Sequence, residues 1–141
     1  MTKTQPTGFV GTQYYALILN RTFVVFISPE GIYGWKVVGI VAAGRGAFRY
    51  FEPYQQMLDD PSQMPSQEEI CRLSSLRGGF FISRSSIVAV EFNPKRKWGM
   101  GGIPHSGRLE VKHASGRTAE FILLGKVDGG AIRQAVLSGG V

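Results

Sequence analysis

Short runs in which apolar and polar residues alternate, each closed by turn-forming residues, constrain this chain more than any other feature. A repeat of two residues is the repeat of a β-strand, because successive side chains point to opposite faces of a sheet. Seven such runs predict strands at residues 14–19, 22–28, 32–40, 79–83, 87–92, 109–113 and 118–123. Since short turns join most neighbouring runs, we expect the strands to pair antiparallel.

Two tight turns are predicted to join the first three strands into a meander. Asn20-Arg21 is predicted as a two-residue hairpin connection, because Asn tolerates positive φ. Pro29-Glu30-Gly31 is predicted as the second turn, with Pro presetting φ and Gly accepting a left-handed position. In the third strand, a period of two places the large side chains on one face: Tyr33, Trp35 and Val37.

A helical insertion is predicted after the third strand, over residues 49–77. Within it, the sequence from Ser66 to Glu69 reads S-x-x-E, which is a capping box at the start of a helix. The apolar stripe of that helix is predicted to be Ile70, Leu73 and Leu76, with Gly78-Gly79 ending it. An earlier helical spacing that runs up to Pro61 involves Phe51, Tyr54, Met57 and Leu58.

A short helix is predicted at the C-terminus, over residues 128–138. Asp128 is its expected N-cap and Gly139 its end, and its apolar face is Ile132, Ala135 and Val136. The predicted fold class is therefore mostly β. It is a bent antiparallel seven-strand sheet with a helical insertion after the third strand and a short C-terminal capping helix.

Composition sets the size and the expected location of the protein. A chain of 141 residues with 43% hydrophobic residues is typical of one domain, spanning 1–141. The single cysteine, Cys71, excludes an internal disulfide, and its place beside Ile70 predicts a partly buried thiol. Polar and charged residues interrupt the most apolar stretch, 14–43, and the N-terminus lacks the pattern of a secretory signal. A cytoplasmic location is predicted.

Three stretches resemble the small bacterial pleckstrin-homology-like (PH-like) and GRAM-like domains: YYALILNRTFVVFIS at 14–28, GGFFISRSSIVAVEFNP at 78–94 and GRLEVKHASGRTAEFIL at 107–123. The resemblance implies a bent seven-strand sheet plugged by a C-terminal helix, and a role in binding or scaffolding. Members of this superfold that bind phosphoinositides carry basic residues around the first hairpin loop. Here that predicted turn has one basic residue, Arg21, which argues against an inositol-phosphate pocket.

The charge is positive overall and concentrated in one part of the chain. Sixteen Lys and Arg against ten Asp and Glu give a net charge of +6, which favours anionic partners. Nine of these cations and only two anions lie between Arg72 and Arg117. A loop in this segment joins three adjacent cations to a tryptophan, and these residues are the candidate contact with an anionic surface: Lys95, Arg96, Lys97 and Trp98.

No catalytic, metal or cofactor site is predicted. His105 and His113 lie eight residues apart with no second pair of ligands, which argues against zinc. The glycines of residues 39–46 do not have the spacing of a dinucleotide-binding loop. No nucleophile, base and oxyanion donor can be assembled from the sequence. The protein is therefore predicted not to be an enzyme.

The sequence thus favours a non-catalytic binding or scaffold module that acts through protein-protein or anionic-surface contacts. The alternative is a basic nucleic-acid-binding domain, although no aromatic-rich strand pair is typical of RNA recognition. A protein partner or self-association is expected first, and a weak contact with an anionic membrane second. Homo-oligomers are expected because an open sheet has edge strands and because the Tyr33, Trp35 and Val37 face offers more aromatic surface than a small core buries.

Overall fold

The fold is seen in a computed structural model, which describes residues 7–16, 19–38, 52–95 and 105–139. Seven strands form one sheet: β1 (Gly8–Ala16), β2 (Leu19–Ser28), β3 (Gly31–Val38), β4 (Gly79–Ser83), β5 (Ile87–Asn93), β6 (His105–His113) and β7 (Thr118–Leu124). Their order across the sheet is β4-β3-β2-β1-β7-β6-β5, and every neighbouring pair is antiparallel. The sheet curls into a half-barrel, so the predicted fold class is confirmed.

The strands at the two edges of the sheet, β4 and β5, follow each other in the chain. β4 pairs only with β3 and β5 only with β6 among the described strands, yet three residues in a helical turn, Arg84–Ser86, join them. The Ala114 amide donates to the Ser86 carbonyl, and the Arg84 amide donates to that of Glu30. These bonds fix the corner between the two edges, but β4 and β5 do not pair with each other, so the half-barrel stays open along β4.

The main hydrophobic core fills the inside of the half-barrel. Alternate residues of β2, namely Phe23, Val25 and Ile27, point into it. The other inward residues come from all the remaining strands and from the C-terminal helix, and the largest of them, Phe9 and Phe121, are fully buried. Burying this much apolar surface is the dominant stabilising contribution to such a fold.

A second core lies on the outer face of the sheet, beneath the helical insertion. The insertion forms α1 (Glu52–Asp59) and α2 (Gln67–Ser74), whose Leu58 and Ile70 pack on Val24 and Phe26 of β2. β2 is therefore buried on both faces, which explains why residues 22–28 contain so few polar side chains. The predicted helical insertion is present and packs on the outer face of the sheet.

The predicted aromatic face of β3 is less exposed than the sequence suggested, because the same helices pack near it. Tyr33 and Trp35 lie on one face of β3, as expected, but they pack against the second core and are only half-exposed. Trp35 stacks on Phe26 with ring centroids 5.0 Å apart. Tyr33 and Trp35 are thus largely covered by the chain itself, so these two side chains do not give the expected reason for self-association. The side chain of Val37 lies outside the described residues.

The prediction for the first hairpin is wrong in its boundaries. β1 begins at Gly8, and the register pairs Tyr14 with Asn20 and Ala16 with Leu19, so Asn20-Arg21 belongs to β2. The glycines of β1 hid its start, because they weaken the strand pattern in the sequence. Close packing explains them: a side chain at Gly8 would collide with the Val25 carbonyl oxygen.

The second predicted turn is confirmed, and the helix of the insertion is shorter than predicted. Ser28 pairs with Gly31 across the Pro29-Glu30 turn. α2 begins at its predicted cap, where Ser66 Oγ accepts from the Glu69 amide at 3.2 Å. It ends at Ser74, so Leu76 is not part of its apolar stripe and is 51% exposed. The predicted end of β3 at Ile40 and the helical residue Phe51 lie outside the described residues.

The predicted C-terminal helix is present and packs into the half-barrel beside β5, β6 and β2. This helix, α3 (Gly129–Ser138), is capped by Asp128, whose carboxylate accepts from the Ala131 amide at 3.0 Å. Its apolar residues Ile132, Ala135 and Val136 are buried in the main core. At ten residues α3 is the longest helix of the described segments, and none of their helices is long and apolar enough to cross a membrane.

Candidate binding cleft

The two edges of the sheet differ in what covers them. On β5, the Arg133 side chain of α3 donates from Nε to the Val90 carbonyl oxygen at 2.8 Å, and α3 packs along the strand. β4 lies at the opposite end of the sheet, and within the described residues no strand pairs with its free side. Backbone groups on a free edge can pair with another extended chain. The free side of β4 is therefore a place where such pairing can occur.

The sequence of β4 lacks the residues that commonly protect a free edge. Its five residues, Gly79-Phe80-Phe81-Ile82-Ser83, include no charged residue and no proline. Lysine, proline and inward-pointing charges are the usual means by which edge strands avoid pairing. Shortness limits how many bonds such an edge can make, but nothing in its side chains prevents them.

The side chains of β4 alternate between a cleft and the outer surface. Phe80 and Ile82 pack against the main core, whereas Phe81 points outward and is 46% exposed. The Phe81 ring lies against Tyr33, with centroids 4.5 Å apart. An exposed aromatic side chain on an unpaired edge is an apolar contact surface beside free backbone groups.

The cleft lies on the inner side of β4, where the half-barrel is open. Its deeper part has a volume of about 310 Å³, at the lower end of the size of ligand pockets. A wider groove of about 960 Å³ adjoins it and shares Gln13, Ile82 and Ala119 with it. The remaining residues of the deeper part are Phe23, Lys36, Gly78, Gly79, Phe80 and Phe121.

The floor of the cleft is a packed cluster of aromatic rings. Phe121 of β7 lies at its centre, with ring centroids 5.9 Å from Phe80, 6.4 Å from Phe23 and 5.5 Å from Phe9. Phe121 itself is fully buried and Phe23 nearly so, so both are held by the core. The cleft therefore offers an apolar and largely preformed surface to a ligand.

The rim of the cleft carries positive charge. Lys36 borders the deeper part and Arg117 the wider groove, both are exposed, and neither forms an ion pair with another described residue. Glu120 also borders the groove, but Arg108 lies 3.7 Å from its carboxylate. The His113 ring is tied to its own hairpin, since Nδ1 accepts from the Ser115 amide at 3.0 Å. The charge available at the rim thus favours an anionic group.

Lys95 of the predicted anionic-surface loop is exposed, and its amide donates to Asn93 Oδ1 at 2.9 Å. Its predicted partners Arg96, Lys97 and Trp98 lie outside the described residues. The structure thus places one residue of the candidate site, after the end of β5 and outside the lining of the cleft.

The cations between 72 and 117 do not all remain available to a partner. Arg84 donates to three backbone carbonyls, and the other engaged cations form ion pairs: Arg72 with Glu69, Arg108 with Glu120, and Lys112 with Glu91. On the outer face of β5, β6 and β7, the glutamates Glu91, Glu110 and Glu120 are direct cross-strand neighbours. That face carries both signs of charge.

Cys71 differs from its prediction, because its thiol is exposed and not partly buried. It lies near Tyr33, and partial burial, together with the neighbouring thiol, raises the pKa of the Tyr33 hydroxyl. Within the described residues, no three His, Cys, Asp or Glu side chains come close enough to hold a metal ion. The residues of the cleft and of β4 offer a ligand apolar contact, charge attraction and backbone pairing.

Comparison of the chain with protein-family profiles, with curated proteins and with solved structures gives no significant match. The resemblance to PH-like domains therefore stays a prediction. The geometry of β4 and its cleft, together with the charge around them, is therefore the basis for proposing a function.

Proposed function

We propose that this protein is a non-catalytic binding module of the PH-like type, which acts by holding a segment of another protein at the cleft beside β4. One observation carries the proposal: an unprotected sheet edge borders an apolar cleft of about 310 Å³. Extended peptides are recognised by this combination elsewhere, because backbone bonds supply affinity and pockets for alternate side chains supply specificity.

The fold gives the proposal indirect support. A curled sheet of seven antiparallel strands with a C-terminal helix at its opening is what the PH-like resemblance implies. Fold alone does not define a ligand, so the support for this function comes from the cleft. The proposed site lies at β4, away from the first hairpin, where inositol phosphates would bind in that superfold.

Selection from a library of random twelve-residue peptides against the immobilised chain tests this function. We expect enriched peptides that bind with micromolar affinity, which corresponds to about −8 kcal/mol. Their binding should weaken at least tenfold in Ala119→Leu, because Ala119 lines both parts of the cleft and a larger side chain fills it. Fluorescence anisotropy with labelled peptides measures the affinities.

The matched control is Ala89→Leu, the same substitution at a half-exposed alanine on the outer face of β5. It should leave peptide affinity unchanged within twofold. Failure to enrich any peptide would count against the function, as would peptides that bind wild type and Ala119→Leu equally well.

A contact between the 95–98 loop and an anionic membrane is expected to be weak. Three cations near an anionic leaflet contribute about 1 kcal/mol each, and insertion of Trp98 adds about 1–2 kcal/mol. The total of about 4–5 kcal/mol corresponds to roughly millimolar affinity for one copy. Sedimentation with anionic liposomes should show marginal binding that is lost in Lys95→Ala/Arg96→Ala/Lys97→Ala; tight binding by wild type would contradict this estimate.

The alternative of nucleic-acid binding gains little support from the charges. A phosphate backbone is bound by a stripe of free cations. Arg108 and Lys112 on the outer face of β6 instead pair with glutamates, and Arg84 is bonded to carbonyl groups.

Self-association was expected for two reasons. The free edge of β4 still supports it. The aromatic face of β3 supports it much less, because Tyr33 and Trp35 pack against the second core.

A further inference from the structure

The backbone of β4 defines where another chain can be added. Register pairs Phe80 with Gly34, Phe81 with Tyr33 and Ile82 with Ile32. In an antiparallel pair, about half of the amide and carbonyl groups of an edge strand point away from its partner. The groups that point away from β3 belong to Gly79, Phe81 and Ser83, and the Gly79 amide already donates to the Leu76 carbonyl. The amides of Phe81 and Ser83 therefore remain to pair with an added strand.

An added strand would have two distinct faces. Its side chains next to Phe80 and Ile82 would enter the cleft, because those two residues face the core. Its side chains next to Phe81 would lie on the outer surface, against an aromatic ring that is 46% exposed. The partner must therefore be apolar at every second position on the inner face, in keeping with the period of a strand.

The positive charge at the rim of the cleft favours a different protein over a second copy of this chain as the partner of β4. Lys36 of β3 lies beside the start of β4, because its amide donates to the Gly78 carbonyl at 3.2 Å. Arg117 borders the wider groove. Pairing β4 with the same strand of a second copy would bring together two cationic rims on a protein of net charge +6. β4 itself contains no acidic residue that could balance them. The rim is complementary to an acidic partner.

We infer that the free edge of β4 takes an extended acidic segment of another protein as an eighth, antiparallel strand. This inference rests on the proposed function and names its partner class. Every described strand pair of the sheet is antiparallel, and antiparallel addition of the segment puts its C-terminal end beside Gly79 and Lys36. We expect one acidic residue there and another near Arg117 of the wider groove. The apolar residues of the segment occupy every second position, where their side chains enter the cleft.

N-methylation of the selected peptides tests whether their backbone pairs with β4. A methyl group on an amide that donates to β4 removes a hydrogen bond and places bulk between the strands. We expect affinity to fall at least tenfold at every second position of the peptide and to change less than twofold at the positions between. A peptide that binds the cleft without this alternation overturns the inference and leaves the proposed function standing.

Charge reversal tests the acidic class of the partner. Lys36→Glu and Arg117→Glu should each lower peptide affinity about three- to tenfold, as the loss and reversal of an exposed ion pair does. Lys126→Glu is the matched control, because Lys126 is exposed and lies outside the cleft lining. Equal affinity in all three variants, or enrichment of peptides without acidic residues, overturns the inference.

Light scattering tests whether a second copy of this chain binds at the edge of β4. We expect the chain to make no dimer through β4, so wild type and Phe81→Lys should have the same molar mass in solution at high micromolar concentration. A dimer that Phe81→Lys dissociates, with Val88→Lys on the other edge as its control, would assign the edge to a second copy and overturn the inference.

Discussion

Phe121→Ala should lower the free energy of unfolding by about 3–5 kcal/mol, the usual cost of replacing a buried phenylalanine by alanine. Phe121 is fully buried and its ring contacts those of Phe9, Phe23 and Phe80. Removing it leaves a cavity where the two halves of the curled sheet meet. Since a domain of this size is stable by about 5–15 kcal/mol, this variant should lose a large part of its stability. Urea denaturation followed by tryptophan fluorescence measures the change.

Phe81→Ala is the control for that experiment, since it removes the same side chain from a 46% exposed position on β4. We expect it to cost less than about 1 kcal/mol, because surface truncations away from the core have small effects. If the two variants were equally destabilised, or if Phe121→Ala were neutral, the packing of the main core described above would be wrong.

Arg84→Met should destabilise the corner between the two sheet edges by about 2–3 kcal/mol. The Arg84 guanidinium donates to the carbonyls of Pro29 at 3.0 Å, Val136 at 2.9 Å and Leu137 at 2.6 Å. Bonds from a charged donor contribute about 1.5–3 kcal/mol each when buried, and less here because the group is partly solvated. The last carbonyls of a helix have no partner within it, so Arg84 also caps α3. Thermal unfolding should shift down by about 10 °C.

Arg77→Met is the matched control, because Arg77 is exposed and lies outside the helices and strands of the structure. Its unfolding temperature should stay close to that of wild type. Hydrogen exchange adds a local measurement: in Arg84→Met the amides at the end of α3 should exchange faster. A stable Arg84→Met variant with unchanged exchange in α3 would contradict the role assigned to this side chain.

Much of the fold follows from local patterns in the sequence. The strand around Val111 shows a clear period of two, and the caps at Ser66 and Asp128 have side chains that bond to helix amides as predicted. The start of β1 was missed because Gly8 and Gly11 are required by close packing against other strands. Such a requirement comes from tertiary structure, and a sequence pattern cannot express it.

The candidate site could be predicted only in part. The sequence defines β4 as a strand, but its position at an edge depends on the order of strands across the sheet, which non-local pairing decides. Its composition pointed the other way, because Gly79–Ser83 carries no charged residue and exposed edge strands commonly carry one. The cationic rim could not be seen either, since Lys36 and Arg117 are 81 residues apart and only the curl of the sheet brings both to the cleft. Composition pointed instead to the 95–98 loop, where cations are adjacent in sequence.

Amide hydrogen exchange of the chain with and without a selected acidic peptide tests whether β4 is the edge that binds it. We expect the outward amides of β4, within Gly79–Ser83, to gain protection when the peptide binds. The amides of β5, within Ile87–Asn93, should exchange as before, because α3 already covers that edge. Protection gained on β5 or around residues 95–98, with none on β4, would show that β4 is not the binding edge.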